Sequence, residues 1–406
     1  MEKTKKKALL VLTRVPYPET DGTRKRITED IIKGISEDFS VDLLIVGDER
    51  LREESKEFLQ RFSGNIFVFY KNKILLYLKS IKSILSGKPL QTEYYFDREV
   101  LKFINKKLSD YGVIYFHTLR LGKYLELMPK EYLSKVFLDL NDAISLNYQD
   151  AKKIAFFPWN LVYSFEEGRV RRYETKLLSL VKHANVVSDF DEKYLIKNCL
   201  KANVNIPNFY QIAPGVQIKD DLRKENNKNI LFFGNIKYPP NKDAVLYFIK
   251  NIFPLLREKD EDVKLIIAGS GSDVIDTKNN PNITKLGFVD SLDKLFSDTS
   301  LVVAPIRFGA GVPTKILEAL SYGVPVVTTP VGARGIKNNL VENIGIRIAE
   351  IDNHELWVKS ILKILSYSDL RTKMSEESLA FIENNYAHSI IRSKYIKAFK
   401  LICNKL

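Results

Sequence analysis

The chain has very few of the residues that bind transition metals or form disulfides. Its 406 residues include two cysteines, Cys199 and Cys403, and four histidines. Two cysteines so far apart give neither a disulfide framework nor a zinc site, as expected of a protein in a reducing cytoplasm. The histidines, at positions 117, 183, 354 and 388, show no metal-ligand spacing. We therefore predict no metal site.

Long apolar segments are lacking as well. No apolar run approaches the roughly 20 residues of a membrane-spanning helix. The basic N-terminus precedes an apolar run, but that run covers only Ala8 to Leu12 and no cleavage site of small residues follows it. We interpret it as the first buried strand and not as a signal peptide. The sequence thus favours a cytoplasmic protein, with peripheral association at the inner membrane left open.

Positive charge is in excess, and it indicates an anionic partner. The formal net charge is +13, with 63 Lys and Arg against 50 Asp and Glu. Nucleic acid, a membrane surface and charged substrates are all compatible with this excess. The basic residues form no zinc finger and no module interleaved with aromatic residues, so we predict that nucleic acid is not a partner.

Residues 71 to 88 have the pattern of a basic amphipathic helix. Ile74, Leu78, Ile81 and Leu85 recur on one side, and lysines surround them. A helix of this composition can lie on an anionic membrane surface. The commoner alternative is that its apolar face packs on a sheet.

Strands alternate with helices through most of the chain. This alternation predicts an α/β fold with two doubly wound, Rossmann-like domains, which the length also favours. A stretch rich in Asn, Pro and charge, residues 203 to 229, marks the boundary between them. We predict an N-terminal domain over 1–212, with a C-terminal helix over 389–406 packing back on it, and a second domain over 213–388. Their facing crevices would form the site.

The segment over residues 301 to 335 carries the clearest chemical pattern. An apolar strand leads into a loop of small residues, Gly309 to Gly311. Pro313 then opens a helix that we expect to run to about Tyr322, because proline is favoured at a first helical position. Gly323 ends that helix. A strand, a glycine loop and a helix N-terminus together present backbone N–H groups suited to phosphate oxygens.

Two side chains of this helix fit such an anion site. Lys315, in the first turn, can add charge to a phosphate, and Glu318, one turn further on, can accept hydrogen bonds from sugar hydroxyls. The alternative is an ordinary strand-loop-helix unit with a solvent-exposed Lys315/Glu318 pair.

Polar residues also follow several strands of the N-terminal half. Gly22 lies in a basic loop after the first strand, before a helix expected from about Arg26 to Glu37, and His117 ends the strand that begins at Val113. Open α/β sheets bind ligands at the carboxyl ends of their strands. Asp139 and Asp142, after the next strand, either face the same crevice or cap the following turn.

The residue order in the C-terminal half resembles a known family. The segments are FFGNIKYPPNKDAVLYFIKNIFPLL, KLIIAGSGS and ITKLGFVDSLDKLFSDTSLVVAPIRFGAGVPTKILEALSYGVPVVTTPVGARGI. They are similar to the C-terminal domain of family 4 glycosyltransferases with the GT-B fold, the group 1 enzymes of bacterial surface-polysaccharide synthesis. The resemblance is specific over residues 230 to 336 and weaker over 8 to 47 and 113 to 195.

The resemblance implies a hexosyltransferase-type reaction. A sugar would pass, with retention of configuration, from a nucleoside diphosphate sugar to a glycan or lipid-linked acceptor, as in capsule or O-antigen synthesis. It implies no cofactor and no required metal ion.

The resemblance also assigns residues. Lys315 would lie near the donor phosphates and Glu318 would hold the ribose hydroxyls. Gly22 would face the donor, His117 would lie close to the transferred sugar, and these two with Lys315 form the implied catalytic set. The other implied donor-binding positions are Gly234, Lys242, Gly287, Phe288, Val289, Arg307, Gly309, Ala310, Gly311, Val312, Pro313 and Thr314.

The chain departs from the commonest family pattern at two places. Ala310 stands where many members have a first glutamate, and the loop NIKYPPNKD lacks the usual Arg and Lys, for which Lys237 or Lys242 would substitute. The subgroup with RxGxG in place of that glutamate shares both departures. Alternatives to the transferase are a nucleotide-sugar epimerase of similar fold and a catalytically silent nucleotide-binding partner of a transferase.

Overall fold

The computed structural model describes residues 5–19, 21–154, 157–219, 227–309, 311–336 and 344–404. The chain divides into two compact units. Unit 1 comprises Met1–Gly215 together with His388–Leu406, and unit 2 comprises Val216–Ala387. The sequence placed these boundaries after residues 212 and 388.

Unit 1 is built on a parallel β-sheet. Its strands are β1 (Lys6–Leu12), β2 (Phe39–Gly47), β3 (Ile66–Tyr70), β4 (Val113–His117), β5 (Val136–Asn141), β6 (His183–Val186) and β7 (Asn208–Gln211). They are ordered β3-β2-β1-β4-β5-β6-β7. In the register of the sheet, Leu9 of β1 lies between Asp42 of β2 and Ile114 of β4. The strand order therefore reverses direction between β1 and β4.

The apolar run of β1 forms a central strand because both faces of the sheet are covered. Leu9 and Val11 pack into one apolar cluster, and Ala8, Leu10 and Leu12 pack into another. All five side chains are completely buried. Parallel strands covered on both faces have continuous apolar sequences, whereas half-exposed strands alternate.

The helices of unit 1 before the domain boundary connect these strands. They are α1 (Gly22–Lys25), α2 (Lys33–Ser36), α3 (Glu53–Gln60), α4 (Lys73–Ser86), α5 (Leu90–Tyr95), α6 (Arg98–Lys107), α7 (Gly122–Leu127), α8 (Ile144–Ile154), α9 (Trp159–Leu180) and α10 (Asp189–Lys201). Short 3-10 segments lie at Leu108–Asp110, Leu119–Leu121 and Lys130–Lys135.

The first helix begins earlier than the expected Arg26. A π-helical segment, Arg26–Ile32, joins α1 to α2, so the helix starts at Gly22. Asp21 caps it: its side chain accepts a hydrogen bond from the Arg24 backbone N–H at 2.9 Å. The apolar periodicity that starts at Ile27 gave no signal for this polar first turn, which the aspartate stabilises.

Unit 2 is built on a second parallel sheet. Its strands are β8 (Asn229–Phe233), β9 (Lys264–Ala268), β10 (Ile283–Gly287), β11 (Leu301–Ala304), β12 (Val326–Thr328) and β13 (Ile346–Ile348). They are ordered β10-β9-β8-β11-β12-β13, so the order reverses between β8 and β11. Each sheet thus carries the doubly wound arrangement that the sequence predicts.

The helices of unit 2 follow its strands. They are α11 (Pro239–Tyr247), α12 (Phe253–Lys259), α13 (Leu292–Ser297), α14 (Thr314–Ser321), α15 (Pro330–Ala333), α16 (His354–Ser366) and α17 (Ser368–Asn385), with a π-helical segment at Phe248–Ile252 and a 3-10 segment at Ser272–Val274.

The last helix, α18 (His388–Asn404), belongs to unit 1. Ile391, Tyr395, Phe399 and Ile402 are buried in the apolar cluster that also contains Leu10 of β1. The helix therefore covers one face of the first sheet. Within the described ranges, none of the helices combines the length and the apolar character needed to span a membrane.

Candidate functional site

Two predicted residues of unit 2, Gly234 and Lys315, lie close together where the order of its strands reverses. Gly234 follows β8, and Lys315 lies in the first turn of α14, which follows β11. A Cβ atom at Gly234 would lie 3.3 Å from Nζ of Lys315. Gly234 has a φ of +132°, a conformation that favours glycine. Open α/β sheets bind ligands at this point of strand reversal.

The α14 helix begins one residue later than expected. Pro313 has φ −72° and ψ 98°, so it is extended and occupies the N-cap position. Its carbonyl accepts the first hydrogen bond of the helix, from the Ile316 N–H at 2.9 Å. Gly323 follows the helix with φ +67°. The first-turn N–H groups of α14 therefore begin at Thr314, next to Lys315.

The Lys315 side chain is buried, so the alternative of a solvent-exposed Lys315/Glu318 pair is wrong for the lysine. Only 9% of the residue is exposed. Its Nζ donates to Oδ1 of Asn241 at 2.6 Å and lies 4.6 Å from the centre of the Phe232 ring. Burial lowers the pKa of the Lys315 amine to about 7, although the nearby Glu318 acts in the opposite direction. An anion bound here would favour the charged form of the lysine.

Asn241 is a site residue that the sequence reasoning missed. Its side chain is buried, and while Oδ1 accepts from Lys315, Nδ2 donates to the Asn235 carbonyl at 2.8 Å. Asn241 thus fixes the position of the Lys315 amine. The two lysines considered as substitutes in this loop, Lys237 and Lys242, are both exposed. The only available signal was the place of Asn241 shortly after β8, where the structure has the first turn of α11.

Arg307 is held by an aspartate on α11. Its Nε donates to Oδ2 of Asp243 at 2.7 Å, and its Nη2 contacts the other carboxylate oxygen. The guanidinium also lies 5.1 Å from the centre of the Tyr247 ring. The hydrogen bonds that Arg307 donates to Asp243 raise the pKa of Arg307. The arginine is therefore oriented by α11, and a phosphate would have to share it with Asp243.

The loop before α14 packs against the segment that follows α15. The Gly309 carbonyl accepts from Arg334, and a Cβ atom at Gly335 would approach the Gly311 carbonyl oxygen to 2.0 Å. Gly311 has φ +76°. Val312 is buried, whereas Thr314 and Glu318 are half-buried. Ala310 lies outside the described residues.

Three glycines at the ends of β8, β9 and β10 are in close backbone contact. A Cβ atom at Gly269 would lie 2.1 Å from the Gly234 carbonyl oxygen, and the Gly269 N–H donates to the Gly287 carbonyl at 2.6 Å. β10 is the edge strand, so Gly287 is about 10 Å from Gly234 at the usual strand spacing. Phe288, 69% exposed, and Val289 line a groove of about 850 Å³ beside this edge.

The predicted residues of unit 1 lie at its own point of strand reversal. Gly22 begins the helix that follows β1, and His117 is the last residue of the adjacent strand β4. His117 is buried, and neither of its ring nitrogens has a hydrogen-bond partner within the described residues. Burial lowers the pKa of His117 to about 3, so its imidazole is neutral near pH 7. A neutral imidazole can donate one hydrogen bond and accept another.

Asp139 has a structural role in unit 1. Its carboxylate accepts from Arg26 at 2.7 Å, from the Tyr115 hydroxyl at 2.7 Å and from Asn185 at 3.0 Å. Burial opposes ionisation, but Arg26 and the hydrogen bonds from Tyr115 and Asn185 together keep the pKa of Asp139 below its usual value. Asp142 is different, because burial and the neighbouring Asp191 raise its pKa to about 6.

Metal ligands are not grouped in the described part of the chain. No cluster of three or more His, Cys, Asp or Glu side chains there could hold a metal ion.

The sequence of unit 2 matches a known family. Residues 227–367 match the family described as "Glycosyl transferases group 1". This match confirms the resemblance to group 1 glycosyltransferases, and the chain carries a glycosyltransferase domain.

Other similarities cover nearly the whole chain. A 44.6 kDa protein in the cps region of Klebsiella pneumoniae is 25% identical over 403 residues, which cover 96% of this chain and 99% of that protein. The crystal structure of TarM aligns with a TM-score of 0.70 at 13% identity, covering 98% of this chain and 99% of TarM. Anabaena Alr3699/HepE, crystallised with UDP and glucose, aligns with a TM-score of 0.64 at 14% identity. The alignment covers 97% of this chain and 100% of that structure. The predicted two-domain GT-B fold is confirmed.

We predict that His117→Gln reduces the sensitivity of the protein to acid. The pKa of His117 is lowered on folding, so below its unfolded value of about 6.5 the unfolded state binds more protons than the folded state. Between about pH 6 and pH 4, wild-type stability should therefore fall more steeply than that of the variant, by about 1.4 kcal/mol per pH unit. Urea unfolding at a series of pH values measures this difference. Parallel pH profiles would contradict the buried, neutral state of His117.

Proposed function

Because the chain carries a group 1 glycosyltransferase domain on a GT-B fold, we propose that it is a retaining glycosyltransferase of bacterial surface-polysaccharide synthesis. It would transfer a sugar from a nucleoside diphosphate sugar to a glycan or lipid-linked acceptor. The buried Lys315 amine at the N-terminus of α14 is the observation that carries the proposal. A capsule or a related surface glycan is the product class, a choice supported by the relative in the cps region.

In this proposal the donor diphosphate binds at the start of α14. The first-turn N–H groups, the positive end of the helix dipole and the Lys315 amine all attract phosphate oxygens. Asn241 keeps the amine in place through its 2.6 Å hydrogen bond. Glu318, one turn along α14, would accept hydrogen bonds from the ribose hydroxyls. UDP in the structure of Alr3699/HepE makes a uridine donor one candidate.

We further propose that the leaving diphosphate is stabilised without a metal ion or other cofactor. Negative charge grows on the diphosphate as the bond to the sugar breaks, and preorganised donors at that position lower the barrier. Lys315 and the α14 amides are such donors, and Arg307 would add a second cation. Each well-placed donor of this kind contributes about 3 to 4 kcal/mol in measured cases.

His117 would contact the transferred sugar. Its two ring nitrogens are buried without a hydrogen-bond partner in the described residues. Leaving them unpaired costs free energy unless a ligand supplies the partners. One sugar hydroxyl could accept from the ring N–H, and a second could donate to the other ring nitrogen. Because the pKa of the imidazole is about 3, it would act as a neutral hydrogen-bonding group and not as a cation. Gly22, where the helix after β1 begins, would allow close approach of the donor.

The acceptor would be reached at the inner face of the cytoplasmic membrane, to which the protein would bind peripherally. A lipid-linked acceptor lies at that surface, and the net charge of +13 favours an anionic membrane.

The first test is a screen of UDP, GDP, ADP and TDP for thermal stabilisation. A ligand that binds only the folded state stabilises it by RT ln(1 + [L]/Kd), so the cognate diphosphate should raise Tm most. Glu318→Ala should weaken its binding by about tenfold or more, because a charged acceptor is lost. Glu355→Ala, at an exposed carboxylate in the first turn of α16, is the matched control. Unchanged affinity in the Glu318 variant would argue against the site.

The second test follows the protonation of Lys315. Its pKa of about 7 in the free protein leaves the amine largely neutral at pH 8.5, and a bound diphosphate should raise that pKa. Binding should therefore take up a proton, and affinity should fall by up to about tenfold per pH unit above pH 7. Calorimetry in buffers of different ionisation enthalpy measures the uptake. Lys315→Met should abolish it and exposed Lys242→Met should not; equal uptake in both would contradict the assignment.

A further inference from the structure

The loop after β4 carries an arginine that is not neutralised by an acid. Arg120 follows His117 by three residues, and the Nε of its half-buried side chain donates to Oε1 of Gln91 at 2.8 Å. The guanidinium lies 5.9 Å from the centre of the Tyr95 ring. Asp142 lies within electrostatic reach, but no ion pair joins the two side chains. Within the part of the chain that the structure describes, Nη1 and Nη2 of Arg120 are left for solvent or a ligand.

Two threonine hydroxyls near this loop are buried and unpaired. Thr118 is 9% exposed and Thr13 is 2% exposed, and neither Oγ1 atom has a hydrogen-bond partner in the described residues. Thr118 occupies the N-cap position of the 3-10 segment that contains Arg120, yet its side chain makes no capping hydrogen bond. Leaving a buried hydroxyl unpaired costs free energy, which a ligand that supplies the partner recovers.

The sheet places these two threonines beside each other. β1 and β4 pair through Val11 and Phe116, and each threonine lies two residues beyond that pair. Adjacent strands are about 4.8 Å apart, so Thr13 and Thr118 lie at one place on the rim of the sheet. Thr118 also has φ +69° and ψ 160°, a conformation almost restricted to glycine. Residues held in this way cluster at ligand sites.

Other charged side chains on this rim already have partners. Arg14, which follows Thr13, lies 3.2 Å from the carboxylate of Asp21. Arg24 lies 2.6 Å from the carboxylate of Glu49. These carboxylates are therefore held by their own arginines and do not form ion pairs with Arg120.

Much of the positive charge of the basic helix α4 is likewise paired with acids. Nζ of Lys71 lies 3.1 Å and Nζ of Lys79 lies 3.7 Å from Oδ2 of Asp97. The apolar face between them is exposed at Ile74 and Leu78, so the expectation that it packs on a sheet is wrong for this turn. The paired lysines of α4 do not indicate an anion site.

We propose that Arg120, Thr118 and Thr13 form a subsite for an oxyanion of the acceptor, a carboxylate or a phosphate close to the reacting hydroxyl. This inference rests on the proposed function and deepens it, since it makes the acceptor an anionic molecule. Arg120 donates from Nη1 and Nη2 to two ligand oxygens, a geometry that carboxylates and phosphates match. The threonine hydroxyls donate to the same group or to a neighbouring acceptor oxygen.

The position in the fold assigns this oxyanion to the acceptor. All three residues belong to unit 1, whereas the proposed site of the donor diphosphate is at the start of α14 in unit 2. His117, which is proposed to contact the transferred sugar, directly precedes Thr118. An acceptor bound beside His117 therefore reaches the reacting sugar and the free edge of Arg120 together.

Matched pairs of small probes test the charge requirement. Calorimetric titrations of the full-length protein compare methyl glucuronide with methyl glucoside, and glucose 6-phosphate with glucose. Each titration is run with and without the nucleoside diphosphate that stabilises the protein best. At least one anion should bind about tenfold or more tightly than its neutral counterpart, because hydrogen bonds to a charged group are strong. The preferred pair distinguishes a carboxylate from a phosphate, and equal affinities within both pairs would overturn the proposal.

Substitutions locate the subsite. Arg120→Gln should abolish the preference for the anion and leave the affinity for the neutral probe unchanged. Arg120→Lys should keep part of the preference, since it keeps the charge but loses the planar fork. Arg52→Gln, at an exposed arginine before α3, is the matched control and should behave as wild type. A full preference for the anion in Arg120→Gln would overturn the proposal.

Thr118→Val gives a second readout. It removes an unpaired buried hydroxyl, so Tm of the free protein should not fall, whereas affinity for the preferred anion should fall severalfold. A threonine with a purely structural role would lower Tm and leave the affinity for the anion as in wild type, and that result would remove Thr118 from the subsite.

Thermal stabilisation by the nucleoside diphosphate separates this inference from the proposed function. We expect Arg120→Gln to retain it, which also shows that the variant is folded. Wild-type protein that binds the diphosphate but prefers neither anion would refute the acceptor subsite alone. Preference for an anion without any diphosphate binding would refute the proposed function alone. Loss of diphosphate binding in a folded Arg120→Gln variant would assign Arg120 to the donor and overturn the inference.

Discussion

Parallel strand pairing is the constraint on which both units depend. In a parallel sheet all strands end at the same edge, so every loop that follows a strand lies along one rim. Where the order of the strands reverses, the loops after two neighbouring strands turn to opposite faces and leave a crevice. Gly234 and Lys315 lie at this point in unit 2, and Gly22 and His117 follow the corresponding strands in unit 1. The strand order of each sheet thus determines where these candidate site residues lie.

Burial then determines what these side chains can do. Lys315 and His117 both have lowered pKa values because their charged forms are poorly solvated. Their surroundings differ in one respect: Lys315 has Asn241 as a fixed partner, whereas both ring nitrogens of His117 lack one within the described residues. The lysine can acquire a proton when an anion arrives, and the histidine remains a neutral hydrogen-bonding group. Arg26 and Asp139 are also buried, but they form an ion pair with each other inside unit 1.

The sequence predicted the alternation of strands and helices well, because apolar periodicity and glycines at strand ends are local signals. It failed where tertiary contacts decide. The alternative with an exposed Lys315 was wrong, because Asn241, which follows another strand, provides the partner that makes its burial possible. The exposure of the apolar face of α4 could not be predicted from the sequence either. The apolar spacing that includes Ile74 is the same whether or not a sheet covers that face. The start of α1 was misplaced because capping by Asp21 is not visible in periodicity, and α14 begins one residue late because Pro313 is extended and occupies the N-cap position.

The central claim is that a nucleoside diphosphate binds at the N-terminus of α14, against the loop after β8. Hydrogen exchange followed by mass spectrometry, with and without the diphosphate that stabilises the protein best, tests this most directly. We expect slower exchange in residues 311–318 and 234–242, where the ligand would cover backbone amides, and unchanged exchange in the exposed turns of α4 and α9. Protection confined to the groove beside β10, or absent from residues 311–318, would contradict the account.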